Sequence, residues 1–435
     1  MSSLKKTGKN FFLLVGGQVI AAGMGLIALA MAAQSLQPAE LGVLVLLHTY
    51  VVTVRELLNC KPFEAIVRFG VPRYDAGDIA GLQRLLRFSL RLDLACTIAA
   101  GLLAFALVKP LGGTLGWQAE HASLAYMFCA VLCLSAVETA KGVLRLKGEF
   151  ALLSSVAMVS SGVRLVGVLV AWSQGGGIGA FACAWTLGLA AEYLYFNVLG
   201  WRAFRGLGVA PTTTQSVPPI RREFPGIWTF INVVYWQGNL DLLPKHVATL
   251  LVGSLLGATD AGLFRIAREF SAVFAKPVVL LRQVVFPDLT RMWHQGDLRL
   301  GRVCLRLALI TFIPAALLTG IFALVGENVI AAIFGPEYAL AVDLITLLLI
   351  AAAIELAGAT LRPAGYAINK ATAMLWLQII NTVLLFSLMV AGAELYGLQG
   401  VGAASCVSAV FITGALAAVV FTELHKQRVA AGQGG

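Results

Sequence analysis

The chain has 435 residues, of which 59% are hydrophobic and 12% are charged, and its formal net charge is +10. Soluble domains contain about 45–50% apolar and about 25% charged residues, so this composition excludes an ordinary soluble protein. A membrane-spanning helix needs about 20 predominantly apolar residues, and the segments between the apolar runs are too short for a folded soluble domain of about 50 residues or more. We therefore expect the function to reside in transmembrane helices.

Twelve apolar runs predict about twelve transmembrane helices. The first six runs lie at 11–33, 41–60, 85–108, 121–141, 150–172 and 178–200. The other six lie at 225–253, 262–286, 303–325, 339–361, 371–393 and 398–421. The first run follows three lysines and resembles a signal peptide, but it is longer than the 7–15 apolar residues of such a peptide, so we interpret it as an uncleaved first span.

The segment between the two sets contains Pro211 to Pro219 and is flanked by arginines, which predicts a linker rather than a helix. The predicted domains are an N-terminal six-helix bundle at 1–200, a cytoplasmic linker at 201–224, and a C-terminal six-helix bundle with a short cytoplasmic tail at 225–435. Even-numbered loops and both ends of the chain are basic, whereas odd-numbered loops are neutral or acidic. This bias predicts that both termini are cytoplasmic, and it explains the net charge without a nucleic-acid partner.

The two halves contain matching sequence features about 220 residues apart. Leu36–Gly42 matches Leu256–Gly262, Gly77-Asp78 matches Gly296-Asp297, and Leu144-Arg145 matches Leu361-Arg362. The matches fall at equivalent places in each half, which indicates duplication of a six-helix unit. An even number of spans in each unit makes the repeats parallel, and transporters of this kind bind substrate between the halves and rock them for alternating access.

Ionisable residues lie inside many of the predicted spans. They are Arg55, Glu56, Glu138, Arg164, Glu192, Asp241, Lys245, Arg265, Arg268, Glu269, Lys276 and Glu355. Each would cost about 2.5–3.5 kcal/mol if it faced lipid at a helix centre, so these residues must face each other, a wet cavity or a ligand. Three spacings favour local ion pairs as an alternative to a functional role: Asp241 with Lys245, Arg265 with Glu269, and Glu138 with Lys141.

Three of the cations favour a cavity. Arg164 has no acidic residue within a helical turn, which favours an aqueous cavity over the alternative of a partner on another helix. Lys245 follows Pro244 and Lys276 precedes Pro277, and proline leaves a backbone carbonyl that must meet protein or water. The alternative for these two is a simple kink beside a lysine that reaches the membrane surface.

Cysteine and histidine residues indicate neither disulfides nor a metal site. The seven cysteines are odd in number and lie in or beside apolar runs, so we expect them to pack as small apolar side chains. Cys129 and Cys133 lie one turn apart, but no histidine or acidic residue completes a metal site. No cluster predicts catalysis, and we expect the protein not to be an enzyme.

The chain resembles the bacterial polysaccharide-transporter (Wzx-type) flippases of the multidrug/oligosaccharidyl-lipid/polysaccharide exporter superfamily. The resemblance rests on the basic N-terminus before the first span, on Leu36–Gly42, on Asn239–Phe264, and on Phe286-Pro287 followed by Arg291. It implies an all-α integral membrane protein with two pseudo-symmetric six-helix bundles around a central cavity. The implied function is to flip an undecaprenyl-pyrophosphate-linked oligosaccharide across the inner membrane for O-antigen, capsule or exopolysaccharide assembly.

The charge pattern assigns residues to this function, because no fixed family motif does. Arg164, Lys245, Lys276, Arg55 and Arg268 would form a cationic cavity for the pyrophosphate, while Asp241, Glu138 or Glu355 would bind a coupling proton or sodium ion or balance the arginines. No cofactor is expected beyond an H⁺ or Na⁺ gradient. The expected partners are the lipid-linked oligosaccharide, membrane lipids, a polysaccharide polymerase and a chain-length regulator.

Other functions remain alternatives. A cation-coupled multidrug antiporter of the same superfamily is the first, although the first span has no ionisable residue to bind a cation. A lipid II flippase resembles a fourteen-span protein, and this chain has no room for two more spans. A membrane glycosyltransferase or polymerase would need charged external loops, and the loop at 173–179 carries no charge.

Overall fold

The computed structural model describes the backbone of residues 2–207, 219–295 and 299–432. Side chains are described for the same residues except 2–15, 241–243, 245, 273–288, 290, 294, 371 and 428–432. Within these ranges the chain is helical and contains no β-strand. The first ten helices are α1 (Ser2–Ser35), α2 (Pro38–Leu57), α3 (Pro62–Ala65), α4 (Val71–Asp75), α5 (Ile79–Leu115), α6 (Ala122–Val131), α7 (Glu138–Leu146), α8 (Phe150–Ser173), α9 (Ile178–Arg205) and α10 (Ile220–Glu223). The others are α11 (Ile227–Leu256), α12 (Ala258–His294), α13 (Leu300–Phe334), α14 (Ala341–Ala357), α15 (Leu361–Ala367) and α16 (Ala371–Gly432).

Ten of the predicted spans coincide with one of these helices or with a pair of consecutive helices, and the last two lie within α16. Across the described residues, eight helices are long and apolar enough to cross a membrane, or nine if the bent pair Pro38–Leu57 and Pro62–Asp75 forms one span. Helix α16 covers the last two predicted spans. The chain bends between these spans at Gly397, where a φ of 58° favours glycine. The prediction of an all-α, multi-pass membrane protein is confirmed.

Two of the spans are interrupted. Helix α2 ends at Leu57, and Lys61, in the left-handed region with a φ of 48°, turns the chain before Pro62 begins α3. Helices α6 and α7 are separated by a 3₁₀ turn at Leu132–Leu134 and an irregular stretch before Glu138. Both breaks carry a buried polar side chain, Asn59 after α2 and Ser135 before α7. Irregular backbone at membrane depth is tolerated where it is buried in protein or lines water.

Packing divides the chain into two compact units, Met1–Leu250 and Leu251–Gly435. The first unit includes most of α11 because Phe224, Ile227 and Ile231 pack with Ala65 and Leu85 in one buried cluster. The boundary of this unit therefore lies beyond the predicted linker at 201–224. The main core of this unit joins α7 and α9, and it includes Val143, Leu144, Tyr193, Phe196 and Leu199.

The second unit is built around α14, which packs against α12, α13 and α16. One buried cluster contains Leu289, Leu300, Ala364 and Val420, and another contains Leu361, Met374, Ile412 and Leu416. Polar side chains are buried in this unit as well, and the Ser408 hydroxyl donates a hydrogen bond of 3.0 Å to Asn381 Oδ1.

Candidate functional site

The charged cluster of the first unit begins at the end of α2. Arg55 is 9% exposed and lies in the last helical turn, where a cation interacts favourably with the helix dipole. Its guanidinium forms an ion pair with Glu56 and donates to Glu138, with 3.3 Å between Nη2 and Oε1. The guanidinium also lies over the ring of Tyr193, 5.3 Å from the centroid. The last turn of α2 is thereby fastened to α7 and α9.

Glu138 is the first residue of α7, a position at which the helix dipole favours a carboxylate. It is 2% exposed and accepts a hydrogen bond of 2.7 Å from Lys141 Nζ, in addition to the contact with Arg55. The ion pair between Glu138 and Lys141 that the sequence spacing favoured is therefore present. Two cations on one buried carboxylate make Glu138 the centre of the cluster.

A second buried carboxylate lies on the far side of Arg55. Asp93 of α5 is 3% exposed and accepts a hydrogen bond of 2.9 Å from the backbone N–H of Thr139. Asp93 and Arg55 line a void of about 10 Å³, together with Ser135 and other polar side chains. That volume is close to the space of one water-sized probe. The Oγ of Ser135 is buried and has no hydrogen-bond partner among the described atoms.

The charges in this cluster do not cancel. Arg55 and Lys141 are the cations, whereas Glu56, Glu138 and Asp93 are the potential anions, so full ionisation leaves one negative charge in excess. An unbalanced charge in a low-dielectric interior is costly. The cluster is therefore a candidate site for a proton or a monovalent cation, and Asp93 is its carboxylate beside the void.

A larger cavity of about 440 Å³ opens on the other side of Arg55. Its wall includes residues of α2, α7, α8 and α9, among them His48, Arg55, Glu56, Lys141, Ser160, Arg164, Trp185, Glu192, Tyr193 and Phe196. The guanidinium of Arg164 lies 5.6 Å from the ring centroid of Trp185. Glu192 accepts a hydrogen bond of 3.1 Å from Ser160 Oγ. Charged, hydroxyl and aromatic groups thus converge on one space within the first unit.

A close contact between α8 and α9 sets the position of Arg164. A Cβ atom at Gly188 would lie 2.9 Å from the Cβ of Arg164, so only glycine lets the two helices approach this closely. Ser160 Oγ donates to the carbonyl of Gly188 across the same contact, at 3.1 Å. The sequence therefore places the arginine on the cavity wall through a small residue on the facing helix.

The predicted site residues of the second unit are arranged differently. Arg265 and Glu269 form an ion pair of 2.6 Å, as their spacing favoured. Arg268 is half-buried on α12, 5.9 Å from the ring centroid of Phe264, and Glu355 is exposed on α14. The side chains of Asp241, Lys245 and Lys276 lie outside those that the structure describes.

Of the predicted site residues, the structure brings Arg55, Arg164 and Glu138 into one region of the first unit. Sequence reasoning did not select Asp93. An acidic residue within the third apolar run was a usable signal, but nothing in the sequence showed that its neighbours would include Arg55 and the start of α7.

The fold is that of known membrane transporters. It superimposes on a multidrug resistance MATE family transporter of the MOP superfamily in an inward-facing conformation, with a TM-score of 0.74, 16% identity, and coverage of 94% of this chain and 95% of that chain. It also superimposes on the lipid II flippase MurJ in an inward closed conformation, with a TM-score of 0.72, 13% identity, and coverage of 96% and 90%. A Vibrio cholerae MATE transporter, VcmN, gives a TM-score of 0.63 at 16% identity, with 98% of each chain covered. The class defined by these likenesses is an all-helical, multi-pass membrane protein with a transporter fold.

Among curated proteins, the chain is similar to the inner membrane protein YghQ of Escherichia coli (strain K12), with 26% identity over 354 residues. The similarity covers 78% of this chain and 95% of YghQ. No protein-family model matches the sequence.

Proposed function

We propose that the protein is a flippase that moves an undecaprenyl-pyrophosphate-linked oligosaccharide from the cytoplasmic to the periplasmic leaflet of the inner membrane by alternating access. The supporting observation is the cavity of about 440 Å³ whose wall carries Arg164 beside aromatic side chains. Arg55 and Lys141 line the same cavity but form ion pairs with Glu56 and Glu138, so Arg164 is the main candidate for the phosphate. The fold shared with the lipid II flippase MurJ is consistent with a cargo of this class. The loop charges favour a cytoplasmic location for both chain termini.

The chemistry of the cavity suits a phosphate-bearing glycan. Guanidinium groups bind phosphate oxygens through paired, charge-assisted hydrogen bonds. Glu192 and Ser160 offer acceptors and donors to sugar hydroxyls, and the rings of Trp185 and Tyr193 offer apolar faces to the C–H groups of a sugar ring. The cavity volume is within the range of small-molecule sites. The cavity is too small to hold the prenyl chain in addition to the headgroup, so the prenyl chain would remain in lipid.

The other predicted cations remain part of the proposal. Lys245, Lys276 and Arg268 belong to α11 and α12, and we propose that they contact the pyrophosphate at another stage of the transport cycle. A polysaccharide polymerase and a chain-length regulator are the proposed downstream partners, since a flipped lipid-linked oligosaccharide is a substrate for polymerisation.

Ion coupling is the second part of the proposal. Asp241, Glu138 and Glu355 were the sequence-based candidates, but Glu138 is held by two cations. Asp93 has a small polar void beside it and belongs to a cluster with one excess negative charge. We therefore favour Asp93 as the group that takes up a proton or a sodium ion.

A cation-coupled multidrug antiporter is the second candidate function. Glu56 and Glu192 lie on the same cavity wall as the arginines, and carboxylates there would attract a cationic drug. The fold shared with MATE transporters is equally consistent with this activity. The two functions differ in the sign of the cargo charge, so one variant separates them.

The test is lipid flipping in proteoliposomes that contain the purified protein and a fluorescent undecaprenyl-pyrophosphate-linked oligosaccharide. We expect Arg164→Ala to slow flipping about tenfold or more, because a hydrogen bond to a charged group contributes about 1.5–3 kcal/mol. Arg164→Lys should restore only part of the rate, since lysine lacks the bidentate geometry. Arg205→Ala at the exposed end of α9 is the matched control and should leave the rate unchanged.

Two results would contradict the proposal. An unchanged flipping rate in Arg164→Ala would remove Arg164 from the substrate path. Uptake of a lipophilic cation such as ethidium by the same vesicles, faster in Arg164→Ala than in the unsubstituted protein, would establish the antiporter instead.

A further inference from the structure

A second charged surface lies at the N-terminal end of α5, away from the cavity described above. A concavity of about 500 Å³ is lined there by Arg84, Arg87, Phe88, Arg91, Pro219, Ile220 and Glu223. The loop charges predict that this end of α5 is at the cytoplasmic membrane surface. All of these residues belong to the first compact unit.

Only one of the three arginines is neutralised by the acid in the concavity. Arg84 forms a bidentate ion pair with Glu223, with 2.8 Å from Nε to Oε2 and 2.6 Å from Nη2 to Oε1. Arg87 and Arg91 are exposed and form no ion pair with any side chain that the structure describes. The segment 208–218, which precedes Pro219, contains no acidic residue in its sequence. The concavity therefore carries two positive charges, those of Arg87 and Arg91, which favour binding of an anion.

The same face of α5 continues as an exposed apolar stripe. Arg87 and Arg91 are followed at helical spacing by Leu94, Ile98, Leu102 and Phe105. These four side chains are 42%, 59%, 68% and 58% exposed, respectively. Phe88 packs edge to face on Trp228, with 5.3 Å between ring centroids, and tryptophan is enriched at the membrane interface. A polar end and an apolar stripe on one helix face match the shape of a phospholipid.

We propose that this face of α5 is a binding site for an anionic phospholipid of the cytoplasmic leaflet, with the headgroup phosphate on Arg87 and Arg91 and an acyl chain along Leu94 to Phe105. Arginine pairs at the interface attract anionic lipids and bind their phosphates. A water-soluble phosphate would use the arginines but not the stripe, so the continuity of the two surfaces favours a lipid. The site is independent of the flippase proposal, because it shares no residue with the cavity.

The test is native mass spectrometry of the full-length protein in detergent, titrated with dioleoyl-phosphatidylglycerol or dioleoyl-phosphatidylcholine. We expect the protein to bind phosphatidylglycerol about 10- to 30-fold more tightly, which is the effect of two interfacial arginines. Arg87→Gln with Arg91→Gln should abolish this preference, and Arg87→Lys with Arg91→Lys should retain most of it. Arg202→Gln with Arg205→Gln removes the same charge from α9 and is the matched control, with an expected preference like that of the unsubstituted protein.

Competition identifies the source of the phosphate. Glycerophosphoglycerol, the soluble headgroup alone, should not displace the lipid at equal concentration. The proposal is overturned if the double glutamine variant keeps the full preference for phosphatidylglycerol. It is also overturned if the soluble headgroup competes as well as the lipid, or if undecaprenyl pyrophosphate displaces phosphatidylglycerol at equal concentration, since the site would then belong to free phosphate or to the transported cargo.

Discussion

At the scale of single residues, the buried charges of the first unit differ in their surroundings. Glu138 is contacted by two cations, whereas Asp93 accepts a backbone hydrogen bond and borders a void. Both are carboxylates almost fully removed from solvent. Burial of a charge is tolerated where a partner compensates it, so the two residues should respond in opposite ways to loss of their charge.

Glu138→Gln should lower the free energy of unfolding by about 3–5 kcal/mol, because it leaves Arg55 and Lys141 without their shared carboxylate. Asp93→Asn should leave stability unchanged or raise it, because it removes the excess negative charge. If Asp93 is the coupling residue, its amide variant should also flip lipid at a rate that no longer depends on the ion gradient. Thermal unfolding in detergent and gradient-dependent flipping measure the two effects. Equal destabilisation by both variants would show that the charge of Asp93 is structural.

Asp78 supplies a helix cap just before the third span. Its carboxylate accepts a hydrogen bond of 2.8 Å from the backbone N–H of Gly81 and pairs with Arg73, and these contacts lower its pKa. Because the folded pKa lies below the unfolded value of about 4, the contribution to stability is complete above that value and is lost as the pH falls through the folded pKa. Asp78→Ala should cost about 1 kcal/mol at neutral pH. Thermal unfolding at pH 7 should show this loss, and Asp78→Asn should lose less because asparagine also caps helices.

At the scale of helices, small residues determine how closely the spans approach. Gly188 allows α9 to meet α8 at Arg164, and Gly200 meets Ala140 of α7 in a similar way. Association of helices within a bilayer depends on this kind of packing because lipid supplies no hydrophobic driving force between them. The cavity wall is therefore sensitive to changes that add volume at these contacts.

Gly188→Ala should destabilise the protein by about 1–3 kcal/mol, because its new Cβ would lie 2.9 Å from the Cβ of Arg164 and the two helices must separate. It should also slow flipping, since Arg164 moves with α8. Gly162→Ala, on the same helix as Arg164, is the control, because a Cβ there meets no atom within 4 Å. The control should be neutral or slightly stabilising. Similar unfolding temperatures for the two variants would argue against a tight α8–α9 contact.

At the scale of the whole molecule, the distribution of lysine and arginine predicts the orientation in the membrane. Every even-numbered loop is basic, and the chain begins and ends with basic segments. A green fluorescent protein fused at the C-terminus should fluoresce, and alkaline phosphatase fused there should be inactive, because the first folds in the cytoplasm and the second in the periplasm. Fusions in the loop at 173–179 should give the opposite result. Active phosphatase at the C-terminus would reverse the proposed direction of transport.

The sequence by itself determined the membrane class, the positions of the long apolar helices and two of the local ion pairs. Long apolar runs and helical spacing act within a single helix, so they can be identified without knowledge of its neighbours. The pairing of Glu138 with Lys141 and of Arg265 with Glu269 followed from spacing alone.

Only the tertiary structure decided which charges meet. The contact of Arg55 with Glu138 joins residues 83 positions apart, and the contact of Asp93 with the backbone of Thr139 joins residues 46 positions apart. The apolar stripe on α5 could be identified from helical spacing. Only the structure showed that Glu223 pairs with Arg84, so that Arg87 and Arg91 are the remaining cations of the concavity. Contacts between distant segments depend on which helices pack together. Spacing rules apply within one helix, so they do not predict that packing.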